Sequence, residues 1–122
     1  MDEYALPTEV RRLIEDALAS MEHVEVLFRV SREREAGADR LARDAHIEPA
    51  HLTKILRDLE RANLITGDGD AYRLTRNPRD RAIIHAFAAA YDTHPVIVIR
   101  AVYARSSPLR SFADAFRLRR EE

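Results

Sequence analysis

ADRLARDAHIEPAHLTKILRDLERA, residues 38 to 62, has the apolar spacing of a helix-turn-helix. Leu41, Ala42, Ala45 and Ile47 form the inner stripe of a short helix, while Leu52, Ile55, Leu56 and Leu59 form a stripe on a longer one. Between the stripes, Asp44-Ala45-His46-Ile47 leaves room only for a sharp turn. Ala42 is small where the two helices cross most closely. Pro49 falls in the first turn of the second helix, where its missing N–H costs nothing. The outward positions of that helix are Ala50, Thr53, Lys54 and Arg57, with His51 beside them. Such side chains reach phosphates or base edges in a major groove. A merely solvated helix face has the same look, and residues 48 to 61 hold three bases and three acids.

Working outward, Ala62-Asn63 closes the helix, and Leu64-Ile65-Thr66 and Ala71-Tyr72-Arg73-Leu74 read as two short strands. Gly67-Asp68-Gly69-Asp70 joins them with residues that tolerate positive φ. The tip acids Asp68 and Asp70 repel phosphate, so Arg73 and Arg76 at the hairpin base are the better backbone contacts. The Asp-Gly-Asp run lacks the spaced ligands and closing Glu of a calcium loop.

From LARDAHIEPAHLTKILRDLERANLI and the GDGD hairpin, the chain resembles winged helix-turn-helix regulators of the MarR and ArsR type, over about residues 24 to 76. The resemblance implies a mainly α fold: a winged helix-turn-helix with a two-stranded β wing and additional N- and C-terminal helices. It also implies a homodimeric, DNA-binding transcriptional regulator with helix 49–62 in the major groove of double-stranded DNA. Carried onto this sequence, the DNA-binding set is Ala50, His51, Thr53, Lys54, Arg57, Arg73 and Arg76. The family's usual turn Gly is His46 here, and His is among the few other residues enriched at positive φ.

Before this unit, Leu6-Pro7-Thr8 opens a helix with Thr8 as N-cap and Glu9 at the positive end of the dipole. Val10, Ile14, Ala17, Met21, Val24 and Phe28 follow at alternating spacings of four and three, the seam of a helix packed along another within the chain or in a dimer. Ser20 offers a second reading, in which the segment divides into helices 8–19 and 20–34. After the hairpin, Asn77-Pro78 starts a helix with the stripe Ile83, Ile84, Phe87, Ala88 and Tyr91, and Pro95 kinks or stops it. Residues 96 to 103 are β-branched enough for a strand, but the absence of a partner strand and the face Val96, Ile99, Val102 and Tyr103 favour a helix.

The last segment, 106–122, reads as an amphipathic tail helix separate from a winged domain over 1–105, in which the helix-turn-helix spans about 38–62 and the wing about 64–75. Leu109, Phe112, Ala113 and Phe116 make the tail's apolar stripe. The close PLRSFADAFRLRR is similar to the ending of a group of small, uncharacterised bacterial winged-helix proteins. Val10, Ile14, Ala17 and Met21, with Leu109, Phe112 and Phe116, are therefore the candidate dimer or partner interface.

Composition narrows the function classes. Net charge is −1, yet residues 1 to 25 carry seven acids against two Arg, leaving the remaining residues net positive. An acidic first helix turned from DNA and a basic opposite side suit a nucleic-acid binder. The absence of Cys excludes disulfides and thiolate zinc sites, and no run approaches the length of a membrane span. Met1-Asp2-Glu3 is no secretory n-region, so the expected location is cytoplasmic. His85 and His94 fall on opposite helix faces, nine residues apart, so no metal site is expected. No nucleophile motif, carboxylate pair or Gly-rich phosphate loop points to an enzyme or a cofactor. The rival to a DNA binder is a winged-helix adaptor that captures a protein partner, through the tail or the helix-turn-helix face, and acts on transcription machinery without touching DNA.

Overall fold

The computed structural model describes residues 4–106, so Leu109, Phe112 and Phe116 of the expected tail lie outside the described residues. The element order is α1 (Thr8–Ala17), α2 (Met21–Ser31), β1 (Ala36–Gly37), α3 (Ala38–Ala45), α4 (Pro49–Arg61), β2 (Ile65–Asp68), β3 (Ala71–Leu74), α5 (Pro78–Thr93) and α6 (Pro95–Ser106). α3 and α4 are the helix-turn-helix, and β2 and β3 the wing. This is the mainly helical winged helix expected from the sequence, with one addition. The sheet is three-stranded and antiparallel, in the order β1-β3-β2, because Ala36 and Gly37 pair with Tyr72 and Ala71. The segment that ends α2 thus satisfies part of the free edge of β3.

Both helices of the central pair end in the same motif. His46 sits in the left-handed region at φ 55°, with its N–H bonded to Arg43 O at 3.3 Å and the Ile47 N–H to Ala42 O at 2.9 Å. Asn63, at φ 61°, repeats the pattern, its N–H meeting Glu60 O at 2.9 Å and the Leu64 N–H meeting Leu59 O at 3.0 Å. These are Schellman closures, and Ile47 and Leu64 add the buried apolar contact that accompanies them. The first closure aims α4 across α3, and the second turns the chain into the wing. The wing loop is tighter than its sequence suggests: Gly67 and Asp68 belong to β2, leaving Gly69-Asp70 as a two-residue turn, with Gly69 at φ 69°.

The first helical segment is two helices, broken at Leu18-Ala19-Ser20. Ser20 is the cause: its backbone is extended and its Oγ accepts the His23 N–H at 3.3 Å, capping a new helix. At the start of α1, Pro7 occupies the N-cap position, and Thr8 is the first helical residue with no side-chain cap. The seam read from Val10 to Met21 meets partners within the chain. Val10 and Ile14 are wholly buried against α5 and α6 of the same chain, and Ala17 and Met21 pack half-buried on that core.

Residues 95–106 are helical, turned 113° from α5. Pro95 enforces the break, and Asn77 caps the other end of α5 by accepting the Asp80 N–H at 3.0 Å. The buried face of α6 is Val98 and Val102; of the expected face, Val102 is buried and Ile99 partly so, whereas Val96 and Tyr103 stand 56% and 65% exposed. Packing of α6 across α1 and α5 rotates it to that setting. No single helix among the described residues is long and apolar enough to cross a membrane.

Candidate nucleic-acid interface

α4 is held from behind by four nearly sealed side chains, Leu52, Ile55, Leu56 and Leu59, none more than 2% exposed. That burial fixes its rotation about its own axis. The opposite stripe, Ala50, Thr53, Lys54 and Arg57, is exposed. Lys54 and Arg57 make no ion pair among the described residues, while the Thr53 hydroxyl donates to Pro49 O at 3.0 Å. Arg61 continues the stripe one turn further and is exposed too. Sequence reasoning stopped short of it, although the helical period leads from Arg57 to Arg61.

His51 is drawn aside. Its Nε2 lies 2.9 Å from Glu22 Oε1 of α2, so a contact to a nucleic acid competes with this bond. Two acids of α4 that diluted its basic character in the sequence point elsewhere. Asp58 Oδ2 accepts from His23 Nε2 at 2.9 Å, and the Glu60 carboxylate lies against Gly67 of the wing. The outward face of α4 is therefore more cationic than its composition.

His23 is 7% exposed and sits at the centre of this support. Its Nε2–H donates to Asp58, which leaves Nδ1 to accept from the Ser20 hydroxyl at 2.7 Å in the neutral ring. The fold thus assembles a Ser-His-Asp chain that no sequence spacing announced. Its chemistry is structural: the Ser20 oxygen is committed to capping α2, and the buried ring joins α2 to α4. A second tie runs from α5, where the Tyr91 hydroxyl donates to Glu25 Oε1 at 2.9 Å. Burial and then the neighbouring Glu25 carboxylate push the Tyr91 phenol up to about 12.

The wing carries the remaining expected contacts. Arg73 is half-buried on β3 and faces Glu35 at 3.7 Å, whereas Arg76 is exposed and without an ion pair among the described residues. Asp68 and Asp70 are exposed at the tip, and Asp70 O accepts the Ala38 N–H at 3.0 Å. The tip is hooked to the start of α3 rather than extended away from the domain. α4 and the hairpin base are accordingly the cationic parts, and the tip is acidic. Among the described residues no three His, Asp or Glu side chains gather as a metal cluster.

The fold is that of a winged helix-turn-helix with flanking helices. Among solved structures, the chain is similar to the MarR family protein Rv2887 of Mycobacterium tuberculosis, with a TM-score of 0.54 and 24% identity over 95% of this chain and 83% of that one. No family model and no curated protein matches the sequence. The expected likeness to MarR-type proteins therefore holds at the level of the fold.

Proposed function

We propose that this protein is a DNA-binding transcriptional regulator that acts as a homodimer. One observation carries the reading: Thr53, Lys54 and Arg57 share an exposed face of α4, and the two cations have no ion pair among the described residues. In this reading α4 enters the major groove, where Lys54 and Arg57 contact guanine edges or phosphates and Thr53 a phosphate or a thymine methyl. Ala50 lets the start of the helix approach the bases, with His51 beside it once released from Glu22. Arg61, Arg73 and Arg76 hold the backbone. Two copies related by a twofold axis then meet half-sites about one helical turn apart.

The α6 face bearing Val96 and Tyr103 supports association of two copies, since large apolar side chains that exposed favour burial against a partner. The adaptor reading is favoured by one feature, the acidic wing tip, which suits a basic protein surface better than a phosphate backbone.

Electrophoretic mobility shifts against the upstream DNA of the encoding gene, at two ionic strengths, test the proposal. Affinity is expected to fall steeply with salt, and Lys54→Glu/Arg57→Glu to abolish binding. A protein that binds neither upstream fragments nor random duplex at low salt is an adaptor instead.

A further inference from the structure

A cavity of about 300 Å³ between the end of α2, β3 and the start of α5 is lined by Arg34, Arg73, Arg76 and Arg81. Arg73, Arg76 and Arg81 lie close together in sequence, whereas Arg34 comes from a segment far from them. We propose that this cavity binds a single phosphate or phosphodiester group, gripped by those four guanidinium side chains.

The charges make the case. The one carboxylate on the cavity wall, Glu33, is already engaged by Arg40 of α3 at 2.8 Å. Arg34 and Arg76 have no ion pair among the described residues, and the Arg73–Glu35 pair is long at 3.7 Å. Arg81 Nη1 donates to Thr75 O at 3.3 Å, which steadies its guanidinium while leaving other N–H groups for a ligand. Four like charges lining one concave surface repel one another, a repulsion that solvent screens in part because Arg34, Arg76 and Arg81 are exposed. An anion held there relieves the repulsion. Arginine's planar fork matches phosphate oxygens in bidentate fashion, and a cavity at the small end of the range for ligand sites suits one phosphate group with part of its ester.

The phosphate has two possible sources, the backbone of a duplex or a free phosphorylated small molecule. The first rests on the DNA-binding reading above, and the second does not. The double variant Arg34→Gln/Arg81→Gln separates them, because both side chains are exposed and neither lies on α4.

With a duplex as the source, the variant binds specific and random duplexes alike about tenfold more weakly near 0.1 M salt, and its log–log salt slope is shallower by about one. With a free phosphate as the source, duplex affinity is unchanged. Inorganic phosphate then raises the melting temperature and shifts arginine Nε–H resonances of the wild type but not of the variant. A variant indistinguishable from wild type in duplex affinity, salt slope and phosphate response overturns the proposal, and it does so even when Lys54→Glu/Arg57→Glu abolishes DNA binding. If the wild-type protein binds no duplex, the DNA-binding reading fails and the phosphate titration alone decides the cavity.

Discussion

His46 and Asn63 show how much one backbone angle decides. Both hold positive φ at the ends of α3 and α4, and both are residue types that tolerate this region better than most. Gly has no Cβ to strain there, at the cost of greater freedom in the unfolded chain. Replacing His46 by Gly is expected to leave stability unchanged or raise it by about 0.5 kcal/mol, whereas His46→Val should cost more than about 1 kcal/mol. Urea midpoints of the two variants check this; equal midpoints would mean the turn is not held in the left-handed region. Gly67 is constrained differently. A Cβ there meets Tyr72 Cε1 at 2.8 Å, so Gly67→Ala must displace that ring.

The contacts between elements rest on a few polar ties inside apolar packing. The His23–Asp58 bond joins α2 to the underside of α4. Asp58→Ala leaves the Nε2–H of a nearly buried ring without its acceptor, and such a loss costs about 1–3 kcal/mol. Removing both partners, in His23→Leu/Asp58→Ala, should cost less than the sum of the single changes, as a double-mutant cycle in urea will measure. A strictly additive cycle would mean the bond contributes nothing. Tyr91 ties α5 to α2 through Glu25, and its phenol is raised from the ordinary 10.0 to about 12. The folded state therefore holds this proton more tightly than the unfolded chain. The stability it contributes is fully present below pH 10 and lost as the pH rises through about 12. Melting temperatures across that range should fall more steeply for the wild type than for Tyr91→Phe; parallel curves would refute the assignment.

For the whole molecule, a near-neutral sum conceals a strong division of charge. Acids crowd the first 25 residues, while Lys54, Arg57 and Arg76, cations with no ion pair among the described residues, mark α4 and the base of the wing. Composition alone argued weakly for nucleic acid because it counts Asp58 and Glu60 at full weight. The fold turns both away from the outward face of α4. Assembly belongs to this scale too. Val96→Glu/Tyr103→Glu should convert a homodimer to a monomer in analytical ultracentrifugation with little loss of stability, since both side chains are exposed. A dimer that survives the change is built through another surface.

The sequence by itself determined the helix-turn-helix, the hairpin and the exposed stripe of α4, because their signals are local: helical period, helix closures, turn residues and Pro49. Even the substitution of His46 for a turn glycine was legible, since left-handed tolerance is a property of single residues. Only the tertiary structure decided which apolar stripes were already covered. A heptad-like seam looks the same whether its partner is another helix of the chain or another subunit, so Val10 and Ile14 read as interface until α5 and α6 enclosed them. Likewise, only folding brought Arg34 beside Arg73, Arg76 and Arg81, and only packing against α1 and α5 set which face of α6 meets water. Long-range proximity leaves no periodic trace in a sequence.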